Sequence, residues 1–231
     1  MPGIDSFTKL LLHCDGIDGS TTFTDETGKT ITPNGSVQID TAQSKFGGAS
    51  GLFNGSTDYL SIADSDDWNF GTDAFTIDFR LRFNSVSVSQ YFVSQYDLAD
   101  GKWLLGFNFP ANNLELWNGV NLDFTCPFTP STGVWYHIAL VRIDNGNTSA
   151  SWRIFVNSIS QTLTKAGGNW SDTMPNTGTD LQIGAYAGAV LLDGWIDEFR
   201  ISKGIARWTS DFPIPEYAYN NLLPFAKVVI I

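Results

Sequence analysis

The sequence predicts an all-β protein built as a two-sheet antiparallel sandwich. Three observations carry this. Apolar and polar residues alternate with period two through most of the chain. Clusters of Gly, Asn, Asp, Ser and Pro separate the alternating runs. Aromatic residues reach 14% and glycines number 22, with no amphipathic helical stretch, a composition that favours strands and turns over helices.

The elements follow in order. Short strands are expected at "LLLHC" (10–14), "SVQID" (36–40), "GLFNG" (51–55) and "DYLSIA" (58–63). The segment "SDDWNFG" (65–71) predicts one helical turn. "AFTIDFRLRF" (74–83) is the clearest strand: Phe75, Ile77, Phe79, Leu81 and Phe83 face one way, and Thr76, Asp78, Arg80 and Arg82 the other. That pattern reads as a half-buried strand of an antiparallel sheet. Strands follow at "QYFVSQYD" (90–97), "WLLGFNF" (103–109) and "NLELWN" (113–118). "VWYHIALVRID" (134–144) and "ASWRIFVN" (150–157) form a hairpin around 144–148. "DLQIGAY" (180–186) and "GWIDEFRIS" (194–202) complete a set of about a dozen. No linker, repeat or low-complexity tract precedes residue 210, so 1–215 is read as one domain. Residues 216–231 are read as a C-terminal extension, with "KVVII" as a strand able to pair with a partner.

A chain of 231 residues buries enough surface to fold without staples. Hydrophobic residues make up 42% and charged residues 16%, which excludes a disordered chain. The net charge is −11, from 13 basic and 24 acidic residues. That excludes a nucleic-acid ligand and disfavours an anionic membrane, while divalent cations and neutral sugars remain compatible. No stretch is long and apolar enough for membrane insertion. Cys14 and Cys126 lack the spacing of a zinc site or disulfide framework and read as buried free thiols. The start, "MPGIDSFTKLLLHCDG", has too short an apolar run for a secretory leader. Synthesis in the cytoplasm is therefore expected, and any work on a virion or extracellular surface would need another exit route.

Several stretches together carry a resemblance: "GLFNGSTDYLSIADSDDWNFGTDAFTIDFRLRF", "GVWYHIALVRIDNGN", "LQIGA" and "LLDGWIDEFRISKGIARWTSDFPIP". Their order and spacing resemble the laminin-G-like, concanavalin A-like jelly-roll domains, in particular a bacterial and phage branch with an "IDE-RIS-G-ARWT" string. The resemblance runs from about Leu10 to Pro215. It implies two curved antiparallel sheets with the first and last strands side by side. It does not by itself imply one function, since lectins, adhesins, glucanases and virion proteins share the fold.

The acids of "LLDGWIDEFRISKGIARW" admit three roles: catalytic, metal-binding or structural. Glucanases of this fold carry a Glu-x-Asp-x-x-Glu strand motif, and retaining hydrolysis needs two carboxylates about 5–5.5 Å apart. No such string exists here: Glu115 is isolated, and Asp197 and Glu198 are adjacent on a strand, pointing to opposite faces. His13 and His137 sit in strands and read as structural. The chain is therefore expected not to be an enzyme. For a metal, the Gly-rich acidic loop "HCDGIDGSTTFTDETG" offers the oxygen ligands that calcium prefers, though "DG" pairs also read as plain turns. The resemblance implies a structural Ca2+ where the first and last strands meet, with Asp15 and Asp197 as its foremost ligands and Asp18 and Asp25 as further ones. The ion-free alternative has Asp197 accepting backbone hydrogen bonds from that loop. Asp193, before Gly194, reads as a hairpin turn, and Glu198 with Arg200 as a surface pair of little energetic weight.

Sugar recognition uses aromatic rings to stack on pyranose faces and polar side chains to bind hydroxyls. The loop-borne candidates are Tyr96, Trp103, Trp117 and Asn118, with Trp68 and Trp170 behind them. Trp135 and Trp152 lie mid-strand and read as core. Two functions follow as expectations. One is a non-catalytic carbohydrate-binding or adhesive module on a phage particle or cell surface, with glycans or a host surface as partner. The other is a structural virion protein, a decoration or tail-associated subunit. Its C-terminal segment would contact other virion proteins, and self-association into a homo-oligomer is a third arrangement.

Overall fold

The computed structural model describes residues 4–97, 101–119, 121–143, 151–166 and 173–219. The described residues form eighteen strands: β1 (Thr8–Leu12), β2 (Thr32–Asn34), β3 (Gln38–Asp40), β4 (Ser50–Asn54), β5 (Tyr59–Ile62), β6 (Phe75–Phe83), β7 (Gln90–Asp97), β8 (Gly101–Asn108), β9 (Asn113–Asn118), β10 (Asn121–Pro127), β11 (Trp135–Arg142), β12 (Trp152–Val156), β13 (Ile159–Ser160), β14 (Thr164–Lys165), β15 (Leu181–Ile183), β16 (Ala185–Tyr186), β17 (Val190–Leu191) and β18 (Asp193–Lys203). The first sheet runs β13-β12-β11-β6-β18-β4-β3, with β1 also on β18. The second runs β14-β10-β9-β8-β7-β15-β5-β2, and β16 with β17 forms a small ribbon. All the pairings are antiparallel, as a two-sheet jelly roll requires. The expected turn of helix at 65–71 is a hydrogen-bonded turn only, from Trp68 N–H to the Ser65 carbonyl. The hairpin turn at 144–148, Trp170 and the segment 220–231 lie outside the described residues.

The core lies between the sheets. Phe75, Ile77, Phe79, Leu81 and Phe83 of β6 all point into it, as their alternation predicts. Phe79 stacks on Phe199, and Phe83 meets the edges of Phe92 and Phe107 at 5.9 and 5.7 Å. Cys14 and Cys126 are both buried and free.

Strand β18 organises the first sheet. Along one side it pairs with β6; on the other it pairs with β4 and then with β1, so the first and last strands do lie together. A β-bulge falls between Asp197 and Arg200, where Glu198 takes a left-handed φ of 52°. The simple alternation expected for this strand is therefore broken. Ile196, Phe199 and Ile201 enter the core, while Trp195, Asp197 and Arg200 pair with the outward Arg82, Arg80 and Asp78. Asp193 is no hairpin turn: it opens β18 opposite Asn54. Glu198 and Arg200 are no surface pair either. Both are buried, with different partners.

The outer face of this sheet is not half-buried in the expected sense. Residues 204–219 cross it and bury its polar residues. Trp208 and Phe212 stack at 4.1 Å and flank the buried His137 edge-on. Arg80 donates to the Pro215 carbonyl. Tyr219 ends the described segment inside the sheet's own polar cluster. Its N–H donates to Glu198 Oε2 at 2.7 Å, its hydroxyl to Asp78, and its ring lies 3.7 Å from the Arg200 guanidinium. Beneath it Arg200 grips Asp78 through two bonds of 3.0 and 3.2 Å. Burial alone would raise the Asp78 carboxyl, but the Arg200 charge, with His137, holds it well below the usual carboxylate range. Removing one partner of a buried pair leaves the other charge poorly compensated. Asp78→Ala should cost about 3–5 kcal/mol in urea unfolding; a loss under ~1 kcal/mol would show the cluster to be incidental.

Candidate functional site

The outer face of the second sheet carries a different surface. Alternation, shifted by one residue at a bulge between Tyr91 and Val93, places Tyr91, Ser94 and Tyr96 of β7, Lys102 and Gly106 of β8, and Glu115 and Trp117 of β9 on that face. The β16–β17 ribbon adds Tyr186. Tyr186 is the hub: its ring lies 5.5 Å from Tyr91 and 5.1 Å from Tyr96. Lys102 Nζ sits 4.5 Å over the Trp117 ring and 5.1 Å over the Tyr186 ring, and 3.2 Å from the Tyr186 hydroxyl. Cation–π contacts of this kind fix both rings against one ammonium.

The polar groups are held as firmly. Tyr91 donates its hydroxyl to Glu115 Oε1 at 2.5 Å, and Asn108 Nδ2 donates to Oε2 at 3.0 Å. Burial and the Glu115 hydrogen bond both push the Tyr91 hydroxyl upward, so it stays a proton donor. Gly106 makes the arrangement feasible, since a Cβ there would come within 2.2 Å of Tyr91 Cδ1. Asp123 of β10 is buried next to Asn118, whose cross-strand partner is the core Trp103, and burial pushes its carboxyl up to about 7 against the opposing pull of Asn118 and Lys165. The result is a surface of four partly exposed aromatic rings with Lys102 between two of them, braced from beneath by the buried Glu115. Such a surface can stack on flat apolar ring faces and bind hydroxyl groups around them.

Of the expected ligand residues, Tyr96 and Trp117 stand on this face, partly exposed. Asn118 ends β9 with the inward parity of Leu114 and Leu116, opposite Trp103, and is buried, so it does not join this face. Trp103 is not loop-borne. It lies in β8 pointing into the core, with Nε1 bonded to Gln95 Oε1, because its neighbours Lys102 and Leu104 take the outward positions. Trp68 is likewise fully buried. Trp152 is in the core as expected, whereas Trp135 is only half-buried on the outer face of the first sheet. Sequence reasoning missed Tyr91, Lys102 and Tyr186. It also missed strand β10, although Leu122, Phe124 and Cys126 alternate directly after the turn at Gly119 and signal it.

The expected metal residues separate into two pairs. Asp25 is spent on structure: it accepts from the N–H groups of Leu11 and Lys29 and from the Thr27 hydroxyl. Asp18 accepts from Thr41. Asp15 and Asp197 share one neighbourhood at the first and last strands, with Cys14, His13 and Glu198. Asp197 Oδ2 accepts from the N–H groups of Lys45 and Phe46, so the loop it closes is 41–49 and not the loop after β1. Its Oδ1 is buried with no hydrogen-bond partner among the described residues. Burial pushes this carboxyl up to about 7; the two N–H donors oppose that, and the charges of Glu198 and Asp15 add to it. Gly47, at φ 62°, admits the Asp15 carboxylate, which a Cβ would strike at 2.0 Å. Among the described residues, no group of three or more His, Cys, Asp or Glu is arranged around a common ion position.

This architecture has close counterparts in fold. Domain 4 of AbnA, an extracellular GH43 arabinanase from Geobacillus stearothermophilus whose structure holds arabinotriose, superimposes with a TM-score of 0.61 at 17% identity, covering 87% of this chain and 95% of that one. The binding domain of botulinum neurotoxin serotype D/C gives 0.58 at 15% identity, covering 86% of this chain and 49% of that one. A botulinum neurotoxin type C structure, described as depending on two ganglioside molecules for cell entry, gives 0.53 at 16% identity over 86% and 49%. The chain thus spans about half the length of those toxin chains. No curated protein matches the chain. The family profile of the concanavalin A-like lectin/glucanases superfamily matches residues 54–207. With two thirds of its length so matched and both sheets of the jelly roll in place, the chain belongs to that superfamily.

Proposed function

We propose that the protein is a non-catalytic carbohydrate-binding module and that saccharides bind on the outer face of the second sheet. The observation that carries this is the Tyr91–Tyr96–Trp117–Tyr186 surface, where aromatic rings stand partly exposed beside Lys102 and Glu115. Fold relatives that hold arabinotriose or engage gangliosides support the ligand class. The net charge of −11 points to neutral glycans. Glu115 speaks against catalysis, since Tyr91 and Asn108 occupy both of its oxygens. Display on a phage particle is the finer reading, supported by the "IDE-RIS-G-ARWT" resemblance. The alternative, a virion subunit that binds its partners through the C-terminal segment, rests on 220–231, outside the described residues.

A structural Ca2+ beside Asp197 belongs to the same proposal. The unpartnered Asp197 Oδ1 and the nearby Asp15 fit such an ion; Asp25 does not, because both its oxygens are engaged, and Asp18 is instead bonded through Oδ1 to Thr41. The ion would neutralise two crowded carboxylates and hold the loop 41–49 against β18.

Two tests follow. On a glycan array, Trp117→Ala should weaken the wild-type signals by about tenfold or more; unchanged binding would remove this face from consideration. Calcium at 100 times its Kd should stabilise the protein by about 2.7 kcal/mol, raising Tm by ~5–10 °C. Asp197→Asn should abolish that rise. A wild-type Tm that ignores both calcium and chelator would leave the acids purely structural.

A further inference from the structure

The segment 204–219 does not cover the whole outer face of the first sheet. Beyond it, one row of cross-strand neighbours remains partly exposed: Gln38 on β3, Leu52 on β4, Trp195 on β18, Arg82 on β6 and Trp135 on β11. Next to this row lies a groove of about 390 Å3, lined by Trp195 and Leu52 and rimmed by Gln38, Asn54, Asn84 and Asp193.

The groove is rigid. The Trp195 indole is fixed at its edge, where Nε1 donates to Asp40 Oδ2 at 2.6 Å, and by the Arg82 guanidinium, 5.4 Å from the ring centroid. Asn84 is tied to Asp193 through backbone and side chain, and Asp193 N–H donates to the buried Gln90. Asn54 organises its own turn by accepting from Ser56 and Thr57 N–H. Asp58, at the groove's end, accepts from the N–H groups of Ser36 and Asn54 and from the Thr57 hydroxyl.

The lining selects the ligand. The acids Asp58 and Asp193 repel an anion. A cation finds the Asp58 oxygens already engaged and a guanidinium beside the ring. What fits is a neutral molecule with a flat apolar face for Trp195 and hydroxyls for the amides and carboxylates around it. The volume suits a small ligand. We propose that this groove is a second saccharide site, on the opposite side of the sandwich from the first, so that one chain engages two glycans in opposite directions. The inference rests on the saccharide-binding reading and extends it to a face that reading does not use.

The test uses the full chain on immobilised arabinotriose, cellotriose and mannotriose, with wild type, Trp195→Ala and Trp117→Ala. Trp195→Ala should weaken binding by about tenfold or more for at least one probe that Trp117→Ala still binds. If Trp195→Ala matches wild type on every probe while Trp117→Ala loses binding, the groove is overturned and the first face stands. If only Trp195→Ala loses binding, the groove stands and the first face falls. If folded wild type binds none of the probes, both fall. Trp195 is only partly buried, and near-UV circular dichroism checks the variant's fold. Gln38→Ala, which removes only a rim amide, should show the same selectivity at severalfold, and wild-type affinity there would also count against the site.

Discussion

The bulge in β18 and the Asp78–Arg200 pair beside it form the constraint on which the rest of the structure depends. Arg200 sits directly opposite Asp78 across the β6–β18 ladder and is bonded to it twice, both groups being fully buried. A buried ion pair is worth little unless its remaining valences are satisfied. Here the chain's own downstream segment does that. Tyr219 closes over Arg200 and bonds Asp78, while its N–H satisfies Glu198, the residue whose left-handed conformation makes the bulge. Strand register, the bulge and the path of residues 204–219 are therefore one interlocked solution. Just before the bulge, Asp197 keeps the outward parity of Trp195 and holds the loop 41–49.

This arrangement divides the molecule by function. Most of the first sheet's outer face is sealed with its charges paired internally. The second sheet's outer face keeps its aromatic rings partly exposed and braces them with Lys102, Glu115 and a glycine. A binding surface built on strands holds its geometry before the ligand arrives and loses little entropy on binding. Rigid aromatic groups on a face with few mobile charges suit neutral, hydroxyl-rich ligands and weak, repeated contacts.

Much of this was legible in the residues. Period-two alternation gave β6 its register, and the strings ending in "ARWT" gave the fold family and the pairing of first and last strands. Tyr96 and Trp117 were legible as binding candidates because polar turn signals flank them. Other features were not. Alternation cannot report a bulge, so Ile196 and Phe199 do not reveal locally that both face the core. It cannot report a covering segment, so Asp78 reads as outward-facing although 204–219 buries it together with His137. The aromatic surface joins β7, β8, β9 and a ribbon some seventy residues or more further along, a juxtaposition that only the sheet order supplies. Trp103 shows the converse: a tryptophan beside Gly101 looks like a turn residue, and the one-residue parity of a strand sends it inward.

The most direct test of the account is a 1H–15N NMR titration with the saccharide that binds best, following the tryptophan indole resonances. The Trp117 indole and the backbone amides of Tyr91, Tyr96, Lys102 and Tyr186 should shift together, while the core Trp103 indole stays fixed as an internal control. Saturable binding that leaves Trp117 and its neighbours unshifted would contradict the claim that this face recognises glycans.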